Sequence, residues 1–285
     1  MSTAATRSTQ ARIRALHFYP VKSAAGLELE QAVLTTAGFA DDRRWMLVTP
    51  AGRFLTQREL PRMALLCTAL SLSTLQISPR GCPLISISLA HQGRRCRVQV
   101  WKDQCDAFDE GDEVARSLSG FLKVDCRLVR FDPAQSRRAD PAWTGGIAAE
   151  ARFADAFPLL ALNAASLEDL NGRLPVRLPV NRFRPNIVLE GLQPYDEDHI
   201  DELSGDGVRL RLVKPCTRCR ITTTNQDTGE VEGDEPLHAL RAYRYDAGLR
   251  GLKFGHNAIV VEGAGASLHR GQTLTVRWRQ QPAPA

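Results

Sequence analysis

The segment Lys214-Pro-Cys-Thr-Arg-Cys-Arg-Ile-Thr-Thr-Thr-Asn-Gln-Asp-Thr-Gly229 gathers two thiols, three cations and a run of hydroxyls into one short stretch. Arg218 adjoins Cys219, with Lys214 and Arg220 close by. Cations beside a thiol favour its thiolate, in general lowering the pKa to roughly 3.5–7.5. A thiolate is what a soft metal or an electrophile takes. Taken alone, Cys216-Thr-Arg-Cys219 has the spacing of half a zinc site or of a dithiol redox pair. A second Cys-x-x-Cys is absent, which leaves a four-cysteine zinc knuckle unsupported. A redox dithiol opens a helix, whereas the β-branched Ile221-Thr-Thr-Thr224 predicts that strand continues. An inert structural thiol pair stays open as an alternative.

The other chemistry is cationic. Lys22-Ser23 follows a strand end, and Arg43 and Arg184 stand just before or at strand starts. Surface solvation is the usual fate of any one of these. Together with Arg218 they could form a bidentate phosphate clamp with backbone and hydroxyl donors. A charge approaching to ~4 Å contributes about 4 kcal/mol at an effective dielectric near 20, before desolvation. Spacing alone does not bring them together. No Ser-His-Asp elbow, P-loop or G-x-G-x-x-G fingerprint occurs. Residue chemistry therefore leads as far as a thiolate beside an anion site.

The elements that must position these groups are mostly strands. Ile13 to Tyr19, Leu27 to Thr36, Trp45 to Thr49 with a hairpin back to Phe54-Leu-Thr56, Ala69 to Ile77, Pro83 to Leu89 and Arg95 to Trp101 are expected in the first half. Regular short strands with turn signals imply a barrel or sandwich. One helix interrupts them, with Asp112 as N-cap and Val114, Leu118, Phe121 and Leu122 on one face. Phe131 to Ala156 reads as a long functional or disordered loop. Beyond it come a buried strand at Pro158 to Leu162, a short helix capped by Ser166, and Arg/Asn-rich Asn181 to Asn186 running into an apolar strand. Strand Val208 to Val213, a helix opening on Pro236, and strands Ala258 to Glu262 and Thr273 to Trp278 complete the second half.

At 285 residues the chain exceeds the size at which one core usually keeps growing, so two domains or lobes are expected. A net charge of +5, carried by dispersed residues, argues against nucleic acid as the main partner but permits a local anion site. The basic residues are mostly Arg, which suits planar phosphate recognition. Seven scattered cysteines do not form a secreted disulfide framework. Cys67, Cys82, Cys96, Cys105 and Cys126 are expected as small buried hydrophobes. No apolar run approaches the ~18 residues of a membrane span. The first ten residues lack the apolar core of a secretory signal. The expected compartment is reducing, the cytoplasm.

Five separated motifs, in order between about residues 12 and 278, carry a resemblance. They are Tyr19-Pro-Val-Lys-Ser23, Asp42-Arg-Arg-Trp45, Phe183-Arg-Pro-Asn186, Lys214-Pro-Cys-Thr-Arg-Cys219 with Thr222-Thr223 and Asp227-Thr-Gly229, and Phe254-Gly255. The combination resembles the MOSC proteins, and within them the subgroup with an N-terminal MOSC β-barrel domain that includes the mitochondrial amidoxime-reducing component and bacterial relatives. The resemblance implies a mainly β fold with short helices (α+β), one β-barrel-like domain packed on another. The implied layout is a disordered start at 1–11, an N-terminal domain at 12–132, a connecting loop at 133–157, a MOSC domain at 158–279 and a tail at 280–285.

It also implies a mononuclear molybdenum cofactor (Mo-molybdopterin) and reduction of N-hydroxylated or N-oxide compounds, with two electrons and two protons consumed and water released. Position by position, Cys219 matches the metal-ligating cysteine, and Cys216 one without that role. Lys22, Ser23, Arg43, Arg184, Asn186, Thr217 and Arg218 match positions that hold the pterin and its phosphate. Asp155-Ala156-Phe157 matches a loop touching the cofactor, and Asn257 stands where the mitochondrial proteins carry Tyr. No Cys-rich ferredoxin-like tail follows, so a separate flavin, haem or iron–sulfur protein is the expected electron donor. MOSC domains also occur fused to cofactor sulfurases, so a non-catalytic carrier of cofactor or sulfur is the alternative. Pyridoxal phosphate binding is a further property the resemblance allows.

Overall fold

A computed structural model describes residues 8–90 and 93–280. The first strand, β1 (Gln10–Phe18), buries Ala11 and Ile13, then Leu16 and Phe18. Strict alternation would turn Leu16 and Phe18 outward. A register shift between Ile13 and Ala15 resets the inward face, as a bulge does. Six more strands follow along the chain: β2 (Leu159–Asn163), β3 (Ile187–Glu190), β4 (Ile200–Gly205), β5 (Val208–Arg218), β6 (Gly251–Glu262) and β7 (Thr273–Trp278). Their order is β2-β3-β1-β7-β4-β5-β6, and β6 pairs back with β2, closing a seven-stranded barrel. An all-antiparallel sheet closes only with an even number of strands. Here β2 and β3 run parallel, which lets seven close. Ile13, Leu16, Ala161, Leu189, Leu203, Leu210 and Leu274 fill the interior.

The rest of the N-terminal half is also β. A four-stranded antiparallel sheet runs Trp45–Val48, Arg127–Phe131, Asp103–Asp109, Arg95–Val100, beside a meander of Leu66–Leu70, Thr74–Pro79 and Ile85–Ser88. Helix Asp112–Leu122 presses Val114, Leu118, Phe121 and Leu122 into one core with Trp45, Leu47, Leu66 and Leu75. The mainly β architecture with short helices is the one expected. β1, from the start of the chain, lies between β3 and β7 in the C-terminal barrel. No helix among the described residues is long and apolar enough to cross a membrane. The disordered start expected at 1–11 and the tail at 280–285 fall mostly outside the described residues, although Gln10 and Ala11 already belong to β1.

Several local expectations are corrected. Gly111, at φ 101, holds the N-cap position before Asp112, which opens the helix as its first residue. Asn163 caps helix Ala164–Asn171, accepting from Ala165 N at 3.2 Å. Ser166 is buried inside that helix and donates to Glu197 at 2.7 Å. Pro236 precedes helix Leu237–Tyr243 as its N-cap. The single strand expected from Ala69 to Ile77 is a hairpin, because Ser71 Oγ accepts from Thr74 N at 3.0 Å and closes a turn. After Cys219 the chain does not continue as strand: Arg220–Thr223 is a 3-10 turn. The hydroxyls of Thr222 and Thr223 donate to Cys219 O (3.0 Å) and Arg220 O (2.8 Å), diverting the backbone from a ladder. Of the five cysteines expected inside, Cys105 and Cys126 are buried, Cys96 is half-buried, and Cys67 and Cys82 are exposed. Cys67 falls on the outward face of its strand.

Candidate functional site

The end of β5 carries Cys216, Thr217 and Arg218, and Cys219 follows at the N-cap of the 3-10 turn. Register shifts between Leu212 and Lys214 and between Pro215 and Thr217 re-aim these side chains along the β5–β6 pair. The chain after β1 supplies Lys22, Ser23 and Arg43, the long loop supplies Asp155, Ala156 and Phe157, the approach to β3 supplies Arg184 and Asn186, and β6 supplies Asn257. All of these line one cleft with Thr217, Arg218 and Cys219. Arg137 shapes the loop side of it. Its guanidinium donates to the carbonyls of Arg152 (3.0 Å), Ala154 (2.6 Å) and Asp155 (3.0 Å), fixing the backbone before Ala156 and Phe157.

Tyr19 organises the cations. Arg43 stacks on its ring at 4.2 Å and Arg184 at 4.3 Å. Burial pushes the phenol up to about 12, so it stays neutral, and its hydroxyl donates to Pro185 O at 3.1 Å. Asp42 accepts from Tyr19 N (2.8 Å), Asn186 Nδ2 (3.1 Å) and Arg43. Arg43 in turn donates to Asn186 Oδ1 at 2.9 Å. Carbonyls aim the other two guanidinium groups: Arg184 donates to Ala24 O and Arg218 to Phe183 O, each at 2.7 Å. Burial pulls Arg184 down to about 10, which still leaves it cationic at neutral pH. Lys22 is buried, which lowers its pKa, and Asp155 at 2.5 Å counters that.

Charge balance in the cleft is incomplete. Lys22 has Asp155 and Arg43 has Asp42, but Arg184 and Arg218 form no ion pair among the described residues. Arg184 Nη2 and Arg218 Nε are buried without a hydrogen-bond partner. Occluded donors without a partner on such half-buried cations are unfavourable unless an acceptor meets them. Ser23, Arg43 and Arg184 also adopt positive φ (64°, 46° and 54°), a backbone strain that clusters at functional sites.

The thiols are arranged differently from the expectation that Arg218 serves Cys219. Residues two apart on a strand share a face, so Arg218 Nη1 reaches Cys216 Sγ at 2.9 Å. Burial pushes the Cys216 thiol up, and Arg218 acts against that. Lys214 stands over the Trp143 ring at 4.7 Å. Cys219 instead meets Arg58, whose Nη1 donates to Sγ at 3.7 Å, and which was not a sequence candidate. Trp101, which donates to Asp155 Oδ1 at 3.3 Å, and Asp42 were also missed as site residues. Asn257 lines the cleft, and its Nδ2 ties β6 to Lys214 O at 3.2 Å. No three His, Cys, Asp or Glu side chains among the described residues gather to hold a metal by themselves.

Comparison with known proteins places this arrangement. The MOSC N-terminal beta barrel domain matches residues 10–125 and the MOSC domain matches residues 148–275. Mitochondrial amidoxime-reducing component 1 of Mus musculus is 35% identical over 240 residues, covering 80% of this chain and 70% of the mouse protein. The chain belongs to the MOSC family. The human component 1 is 33% identical over 241 residues, covering 80% of this MOSC chain and 71% of its own. A molybdenum cofactor sulfurase of Solanum lycopersicum is 29% identical over 249 residues, 79% of this chain but 30% of the sulfurase. The MOSC match on 148–275 contains Asp155 to Phe157, Arg184, Asn186, Cys219 and Asn257, whereas Lys22 and Arg43 lie in the N-terminal match.

Proposed function

We propose that this protein is a molybdenum-cofactor-dependent oxidoreductase that removes oxygen from N-hydroxylated or N-oxide compounds. One observation supports the reading most: two half-buried guanidinium groups, Arg184 and Arg218, each with one occluded and unpartnered donor nitrogen, line the same cleft as Cys219. That pairing of a soft ligand with anion-seeking donors fits a metal carried on a phosphorylated pterin. Cys219 would ligate the metal. Arg184 and Arg218 would balance the phosphate, with Lys22, Arg43, Ser23, Thr217 and Asn186 as hydrogen-bonding groups. Asp155 to Phe157 and Asn257 would border the pterin. When bound, such a cofactor supplies the redox centre, at which an N–OH compound, two electrons and two protons become the N–H compound and water.

The chain supplies orientation and charge. Asp42 fixes Arg43 and Asn186 in mutual register, and Tyr19 holds Arg43 and Arg184 side by side despite their like charge. Lys22 is committed to Asp155 and Phe153 O (2.8 Å), which favours the molybdenum cofactor over pyridoxal phosphate, whose binding uses a free lysine. A separate flavin, haem or iron–sulfur protein would deliver electrons, and the free thiols suit a reducing compartment such as the cytoplasm.

The test is metal analysis and turnover on protein made in a host that produces the cofactor. The wild type binds molybdenum and reduces an amidoxime with an artificial reductant. Cys219→Ala lowers turnover by about 100-fold or more. Full activity in that variant would overturn the role given to Cys219. The sulfurase similarity favours a second reading, a non-catalytic carrier of cofactor or sulfur. Molybdenum binding without turnover of any amidoxime or hydroxylamine would select it.

A further inference from the structure

The reductase reading assigns no role to Phe54, Arg58 or Trp101, which the N-terminal half brings together, with Trp101 against Asp155 and Arg58 against Cys219. Trp101 sits at the turn between strands Arg95–Val100 and Asp103–Asp109, at φ 55° and 47% exposed. Its indole N–H donates to Asp155 Oδ1 at 3.3 Å, the oxygen that also takes Lys22 at 2.5 Å. Phe54 packs against the indole with ring centroids 5.1 Å apart. Arg58 stacks on the same indole at 4.6 Å and extends Nη1 to 3.7 Å from Cys219 Sγ. That sulfur is the guanidinium's hydrogen-bond partner, and no carboxylate among the described residues lies in ion-pair range of it. The adjacent Glu59 is taken by Arg53 at 2.7 Å. A positive charge without an ion pair is thus held on a rigid aromatic beside the sulfur.

We infer that Arg58, braced on Trp101, is a substrate-binding residue that anchors the oxygen-bearing end of the substrate beside Cys219, so that the site selects neutral and anionic N-hydroxylated compounds over cationic ones. The inference rests on the reductase reading for its substrate class. A guanidinium N–H is a donor to the N–O oxygen of an amidoxime or hydroxamate and to a carboxylate beside it. The same charge repels an ammonium group brought into the cleft. Arg58 already covers part of the indole, so Trp101 offers a substrate ring a flat apolar surface rather than a cation site.

The test uses three benzamidoximes of similar size with a para hydrogen, carboxylate or trimethylammonium group, on molybdenum-loaded protein. The wild-type KM for the cationic compound is expected to exceed that for the neutral one by about 10-fold. Arg58→Met reduces that ratio to about 2-fold or less, with molybdenum content unchanged and kcat altered less than KM. Arg58→Lys keeps the charge order. If Arg58→Met fails to load metal, Arg58→Lys decides the matter: a lost charge order at full loading overturns the proposal. Calorimetric binding of the three compounds without reductant reads the same order independently of turnover. Equal affinities in the wild type, or wild-type ratios in loaded Arg58→Met, overturn the proposal. If the binding order holds while no compound is reduced, the reductase reading fails, and Arg58 is left as a residue that selects bound N-hydroxylated compounds by charge.

Discussion

Arg43 and Arg184 both stack on the Tyr19 ring, and the room for that ring comes from a residue with no side chain. A Cβ at Gly26 would come 2.4 Å from Tyr19 Cε1 and 2.9 Å from Cδ1. Gly26→Ala therefore displaces the ring and the guanidinium groups resting on it. Overpacking of this kind costs about 1–3 kcal/mol. The expected outcome is a melting temperature lowered by several degrees together with reduced molybdenum retention after gel filtration. Unchanged retention would separate the stack from the cleft's charge geometry. Lys22, Arg43, Arg184 and Cys219 were legible as one set only through the order of motifs that resembles the MOSC proteins, since residue type and spacing alone did not bring them together. Arg58 was not legible, because its approach to Cys219 spans 161 residues and depends on where the indole of Trp101 braces it.

At the scale of elements, Glu197 sets a pH dependence at the foot of the barrel. It is fully buried, accepts from Ser166 Oγ at 2.7 Å, and lies before β4. Burial raises its pKa from 4.5 to about 7, with the Ser166 hydrogen bond acting against that. Between those values the native state keeps a proton that the unfolded chain releases, so stability falls as pH rises through the window and levels off above it. Integrated over the window, the loss is up to roughly 3 kcal/mol. Glu197→Gln is expected to raise the melting temperature at pH 8 relative to the wild type and to give no advantage below pH 4.5, as scanning calorimetry at both values can check. A wild-type protein equally stable at both ends would remove the basis for this. Elements were readable where apolar alternation was clean, as in β7. Asp103–Asp109 was missed because three aspartates interrupt its pattern, and Arg220–Thr223 because threonine hydroxyls favour a turn that β-propensity alone does not reveal.

At the scale of the whole molecule, the two halves share a strand. β1 pairs with β3 through Arg12↔Glu190 and with β7 through Gln10↔Thr275. A chain of residues 133–280 alone would lack it and leave β3 and β7 with open edges. That fragment is expected to show no cooperative thermal transition by circular dichroism, while residues 8–280 melt in one step. A cooperative melt of the fragment would mean the barrel closes without its seventh strand. A mostly β fold was foreseeable from strand and turn spacing. The sharing of β1 between the halves was not, since nothing in a nine-residue alternating segment says which sheet it joins.

The same pairing fixes a time order for the nascent chain. Gln10 leaves the ribosome long before its partner Thr275, so the barrel cannot close until the segment through β7 has emerged. Cys219 and Arg184 therefore stand in a closed barrel only once β7 has been made, so the cleft is complete for loading only after the last barrel strand.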